Sequence, residues 1–66
     1  MRNREGLLIR VSEAAANLAI RCEQALQEKD PDDDLPVIRN EEERRRLHAL
    51  VKGARAIQLK TRGMYR

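Results

Sequence analysis

Two prolines near the middle of the chain divide it into two segments, each long enough for one helix. Pro31 and Pro36 lack the backbone N–H that a helix interior requires, and each biases the preceding residue towards extended conformations. Residues 30–39 therefore predict a ten-residue connector between a first helix at about residues 7–29 and a second at about residues 41–62. The sequence predicts an all-α fold, in which residues 1–66 form a single antiparallel two-helix hairpin.

The second segment has the clearer helical pattern. Asn40 is predicted to accept a hydrogen bond from the backbone N–H of Glu43, which is the arrangement of a capping box. Apolar residues follow at steps of three and four, so they share one face of the helix. These residues are Leu47, Leu50, Val51, Ala54 and Ile57. Gly53 lies beside them, and because glycine costs roughly 1 kcal/mol inside a helix, its position predicts a second backbone close by.

The first segment is also amphipathic. Its predicted core residues are Leu8, Val11, Ala15, Leu18, Cys22 and Leu26. Cys22 is interpreted as a small core residue, since no base has a specified place near it. A smaller apolar stripe, which we call the isoleucine stripe, lies away from the core residues and consists of Ile9, Ala16 and Ile20. A simple hairpin would leave this stripe exposed, so it favours a further partner helix.

The chain lacks the usual means of stabilising a small domain. Its 66 residues include one tyrosine and no tryptophan or phenylalanine, and a single cysteine excludes an intrachain disulfide. Two helices alone bury too little surface to offset the entropy of ordering them. The sequence therefore predicts a homodimeric helical bundle, with parallel and antiparallel arrangements both open. The predicted core residues of the two segments, together with Gly53, would form its interior and its dimer interface.

The second helix also carries a row of basic residues away from its apolar face. We call this row the basic ridge, and it consists of Arg44, Arg45, His48, Lys52, Arg55, Leu59 and Arg62, with Tyr65 beyond its end. Arginine and tyrosine often anchor protein interfaces, and here they flank a leucine on a rigid helix. The ridge predicts a protein-binding surface, and the isoleucine stripe is the second candidate. A solvated face that keeps a small dimer soluble is the alternative interpretation.

Charges along the chain are segregated. Residues 30–40 hold four acidic and one basic residue, whereas residues 41–66 hold eight basic and three acidic residues. Such a distribution suits partners of opposite charge, including a second copy of the chain. No apolar run approaches the length that spans a membrane, and the cluster at residues 7–11 is too short for a secretory signal. The sequence predicts a cytoplasmic protein with no membrane contact.

Neither a metal site nor an enzyme is expected. Asp30, Asp32, Asp34 and Glu41 match positions 1, 3, 5 and 12 of a helix–loop–helix calcium loop, yet Leu35 stands where that loop requires glycine. The acidic cluster of residues 30–34 is therefore interpreted as a solvated turn, although whether it binds a cation stays open. With one histidine and one cysteine, no nucleophile, base and oxyanion donors come together. We expect no cofactor and no catalytic residue.

Two resemblances bear on function. If residues 6–13 formed a strand, the order of strand and two helices would resemble the ribbon-helix-helix regulators, which implies a small DNA-binding dimer that uses Arg2, Arg4 and Arg10. The layout of helix, proline-interrupted connector and helix is similar to that of small phage-encoded host-takeover proteins. Among these it looks most like the anti-activator type, which binds a quorum-sensing transcription regulator and a pilus-assembly ATPase.

The second resemblance spans most of the chain but rests on size and layout, so it assigns no individual residue. It implies a non-enzymatic protein that inhibits a host regulator, specifically a transcriptional regulator, by covering its surface. Nucleic acid is the second choice of partner, because the basic ridge has no interleaved aromatic residues and the acidic connector would repel a phosphate backbone.

Overall fold

The computed structural model describes residues 3–65, which form two helices and no named strand. Helix α1 spans Arg4–Gln27 and helix α2 spans Glu41–Met64. The guanidinium of Arg4 donates a hydrogen bond to the carbonyl oxygen of Met64 at 3.1 Å, so the start of α1 lies beside the end of α2. The helices are therefore antiparallel and pack on each other. This confirms the all-α hairpin, while the single chain leaves the homodimer a prediction.

Side-chain caps explain where the helices begin. The side chain of Asn40 accepts a hydrogen bond from the backbone N–H of Glu43 at 3.0 Å, as the sequence predicted. The side chain of Asn3 likewise accepts a hydrogen bond from the backbone N–H of Glu5 at 3.0 Å. Helix α1 therefore begins three residues earlier than the apolar pattern indicated. At the far end, α1 stops at Gln27 because Lys29 pairs with Pro36 in an isolated antiparallel bridge.

The strand alternative for residues 6–13 is wrong, because the structure has them inside α1. The cap at Asn3 starts a helix, and Leu8, Ser12 and Ala15 then turn one face towards α2 at steps of four and three. A ribbon would need this segment extended, so the DNA-binding surface of that alternative does not form. Arg10 lies exposed on the helix, and Arg2 lies outside the described residues.

Small side chains dominate the contact between the helices. Ala19 is 0% exposed and Ala54 is 2% exposed, and the other buried apolar residues are Ala15, Cys22 and Leu26. Buried and half-buried positions on both helices recur at alternating steps of three and four, which is the repeat of antiparallel helices that pack along one seam. The seam consists of Leu8, Ser12, Ala15, Ala19, Cys22 and Leu26 in α1, and of Leu47, Val51, Ala54, Gln58 and Thr61 in α2.

The connector is closed by its own hydrogen bonds. The backbone N–H of Asp30 donates to the carbonyl of Leu35 at 2.8 Å, and that of Val37 donates to Glu28 at 3.0 Å. The carboxylate of Asp33 accepts a hydrogen bond from the N–H of Leu35 at 3.0 Å. A second pair of contacts joins Arg39 to the carboxylate of Asp33 at 2.6 Å and to the carbonyl of Pro36 at 2.8 Å. The acidic residues therefore shape the turn.

Replacing Asn40 with alanine removes the cap of α2. We expect Asn40→Ala to lower the free energy of unfolding by about 1 kcal/mol, since an N–H of the first turn loses its acceptor. Asn17→Ala is the matched control, because Asn17 is exposed in the middle of α1 and alanine is the better helix former there. Urea unfolding followed by circular dichroism checks both; equal effects from the two substitutions would contradict the role of the cap.

Enlarging Ala19 tests the close contact between the helices. We expect Ala19→Leu to destabilise the hairpin by about 1–3 kcal/mol, because a fully buried position cannot accept a larger side chain without moving the helices apart. Ala49→Leu is the control, since Ala49 is exposed and surface substitutions usually change stability by less than about 0.5 kcal/mol. Thermal unfolding measures both variants, and an unchanged melting temperature for Ala19→Leu would argue against close packing.

Candidate protein-interaction surface

The predicted core residues separate into two groups in the single chain. Those that lie buried in the seam are Ala15, Cys22, Leu26 and Ala54, while Leu8, Leu47 and Val51 are half-buried there. Those that lie exposed are Val11, Leu18, Leu50, Gly53 and Ile57. Every member of the exposed group directly precedes a seam residue in the sequence, so the group turns to one side of the hairpin. A hairpin has room for one seam only, and the remaining predicted core residues lie outside it.

Gly53 is not approached by a second backbone of the described residues. A Cβ atom placed on Gly53 would meet no atom of α1 or of the connector within 4 Å. The close approach predicted from its position is therefore not provided by α1, because α1 packs on the neighbouring position Ala54. Within residues 3–65, Gly53 lies on an open surface.

The residues of the basic ridge lie along one exposed side of α2. Arg45, His48, Lys52, Arg55, Leu59 and Arg62 are exposed, while Arg44 and Tyr65 are half-buried. Leu59 is 68% exposed, which is the largest exposed fraction among the large apolar side chains of the described range. The ridge members from His48 to Arg62 each directly follow a seam residue in the sequence. The ridge therefore borders the hairpin contact on the side opposite to Leu50 and Ile57.

Some members of the ridge already have partners inside the chain. The guanidinium of Arg44 donates to the carbonyl of Ile38 at 2.8 Å in a partly buried contact, which ties the connector to α2. Arg45 pairs with Glu42 at 3.4 Å on the surface. Exposed ion pairs of this kind contribute little stability, so Arg45 can exchange its partner at low cost. Arg44 is the least available member, since it holds the connector.

One ion pair connects the two candidate binding faces. The guanidinium of Arg55 lies 3.4 Å from the carboxylate of Glu23 in α1. Glu23 follows Ile20 by three residues and Ala16 by seven, so it belongs to the same side of α1 as the isoleucine stripe. The pair therefore shows that the stripe and the basic ridge lie side by side on one face of the hairpin. Sequence reasoning treated them as alternatives and missed Glu23, although its spacing from the stripe was visible.

An open groove continues this face towards the connector. It is lined by Glu23, Leu26, Gln27, Arg44, His48 and Val51. His48 thus lies near side chains of both helices. Cys22, the single cysteine, does not line this groove, because it is buried in the seam. The groove brings together carboxylate, amide, guanidinium and imidazole groups, which suits polar recognition of a partner at the edge of the stripe and ridge.

The acidic residues of the connector were the other candidate site. In the described part of the chain, no group of three or more metal-ligating side chains lies close enough to hold an ion. Asp30 and Asp33 accept hydrogen bonds from the backbone of the turn itself. Neither helix, over the residues described, has an apolar stretch of the length needed to cross a membrane.

Comparisons with protein-family models, with curated proteins and with solved structures found no match to this chain.

Proposed function

We propose that the chain is a non-enzymatic protein-interaction module whose binding face combines the basic ridge with the isoleucine stripe. The observation that supports this proposal is the contact between Arg55 and Glu23, which brings the stripe beside the ridge. Exposed aliphatic side chains surrounded by arginines have the composition of an interface, in which an apolar centre lies within a polar rim. Leu59 lies within the ridge and is the proposed central anchor.

The proposed partner is a protein that offers an apolar pocket with acidic residues around it. Lys52 and Arg62 are exposed on either side of Leu59, and the ion pairs of the described residues do not include them. They are therefore open to carboxylates of a partner, which would guide association and fix its orientation. Arg55 would exchange its exposed contact with Glu23 for a contact with the partner.

We propose further that this partner is a host regulatory protein, and specifically a transcriptional regulator that the chain inhibits by covering its surface. This finer proposal is supported by the layout of two helices and a proline-interrupted connector, which resembles the phage-encoded anti-activators. The location that it requires is the cytoplasm. The resemblance supplies the class of partner, and the binding face described above indicates which side chains that partner would present.

Replacing the anchor tests the binding face. The chain is used to capture its partner from a lysate of its native host, and the purified partner is then titrated against variants. We expect Leu59→Glu to weaken binding at least tenfold, about 1.4 kcal/mol, because it removes the apolar anchor and neutralises the basic residues around it. The melting temperature should hardly change, since Leu59 is exposed.

Leu35→Glu is the matched control, because Leu35 is an exposed leucine of the connector and lies outside the proposed face. It should bind like the unaltered chain. Binding that survives Leu59→Glu would place the site elsewhere. A captured ligand that proved to be nucleic acid, with an affinity that falls steeply as salt rises, would replace the proposal with phosphate recognition.

A further inference from the structure

The side of the hairpin opposite to the basic ridge carries most of the large exposed apolar side chains, together with the exposed basic residues Arg21, Arg46 and Lys60. We call it the apolar face, and its large members are Leu7, Val11, Leu18, Leu50, Ile57 and Met64. Each of these side chains is 46–53% exposed. Their spacings of four and seven along α1, and of seven along α2, keep them on one side of each helix. Because each of them, apart from Met64 at the end of α2, directly precedes a seam position, both rows turn to the same side of the hairpin.

This face exposes six large apolar side chains of a 66-residue chain on one side of the hairpin. Patches above a few hundred Å² are rare on monomeric proteins. The hairpin measures 53 × 20 × 15 Å, so its broad side offers a long, flat surface to a partner. Inside the hairpin, no large side chain of residues 3–65 is fully buried. The large apolar side chains that could form a larger core therefore lie on the apolar face.

The two ends of the hairpin carry opposite charges. The connector end, residues 28–40, has five acidic and two basic residues, which gives a net charge of −3. The open end, residues 3–10 and 60–65, has four basic and one acidic residue, which gives +3. A second copy placed with its connector at the opposite end would bring each acidic end over a basic end. A copy in the same direction would place the two acidic ends together.

We propose that a second copy of this chain covers the apolar face, running in the reverse direction, so that the two connectors lie at opposite ends of a four-helix bundle. The pattern of side-chain sizes agrees with this arrangement. When the row on α1 is reversed about its centre, Ala14 comes opposite Leu18, Leu7 comes opposite Ala25, and Val11 comes opposite the stem of Arg21. Two of the three pairs then set a large side chain against a small one, which is how packed helices fill the space between them.

The proposed dimer does not depend on the proposed function, since the basic ridge and the isoleucine stripe lie on the outer side of each hairpin. The bundle would present that binding face twice, once on each copy. The opposite-ended arrangement also places like charges far apart, so charge selects one direction among those that would bury the same apolar surface.

A distance between the two connectors measures the direction of the copies. A single spin label is attached at Leu35→Cys in a Cys22→Ala background, which keeps every charge of the connector. We expect a label–label distance of about 50 Å from double electron–electron resonance, because the hairpin is 53 Å long and the connectors are at opposite ends. A distance below about 25 Å, which neighbouring helix ends of one bundle would give, would overturn the proposed direction.

Two substitutions two residues apart on α2 test which face is covered. Ile57→Glu alters the apolar face, whereas Leu59→Glu alters the opposite side of the same helix. Sedimentation should show at least a tenfold weaker dimer for Ile57→Glu and an unchanged dimer for Leu59→Glu. If Ile57→Glu does not fold, the milder pair Ile57→Ala and Leu59→Ala carries the comparison. A folded monomeric wild-type chain at micromolar concentration, or a dimer indifferent to Ile57, would overturn the proposal.

Discussion

The close packing of alanine-sized side chains between α1 and α2 is the interaction on which the rest of the structure depends. Ala19 and Ala54 are almost completely buried, and Ala15 and Cys22 complete the same seam. Small residues let two helices approach closely, but they remove little apolar surface from water. The hairpin is consequently thin, and it leaves most of its leucines and isoleucines outside. Both the binding face and the apolar face are exposed because the core between the helices is small.

The connector shows how one set of residues serves local structure and long-range charge together. Asp30 and Asp33 accept backbone hydrogen bonds that hold the turn, and Asp34 adopts a φ of 57°, a left-handed conformation that aspartate tolerates better than most residues. The same carboxylates give this end of the molecule its negative charge. Asparagine side chains can accept the same backbone hydrogen bonds, but an uncharged turn would give a dimer no electrostatic reason to choose a direction.

The two sides of the hairpin divide the proposed roles between them. On one side, the pair of Arg55 and Glu23 joins basic and aliphatic residues of both helices into a single surface. On the other, Leu18, Leu50 and Ile57 belong to a largely apolar surface that no ion pair between the described helices crosses. A partner protein and a second copy of the chain would therefore not compete for the same residues, which is what a dimeric binding module requires.

The sequence by itself determined the two helices, the connector and the cap at Asn40, because prolines, caps and apolar periodicity act over a few residues. It also located the basic ridge, since all members of that ridge lie on one helix. The cap at Asn3 was equally local, but no apolar run drew attention to it.

Only the tertiary structure decided which apolar residues are buried. Val11 and Ala15 lie on the same amphipathic arc of α1, but the second helix covers only a narrow part of that arc. In the packed hairpin, Ala15 is buried and Val11 is exposed. The meeting of Glu23 with Arg55 was likewise beyond the sequence, because it joins residues 32 positions apart on two helices. Periodicity fixes the direction of a side chain around its own axis, whereas the rotation of one helix against another is set by how their side chains fit together.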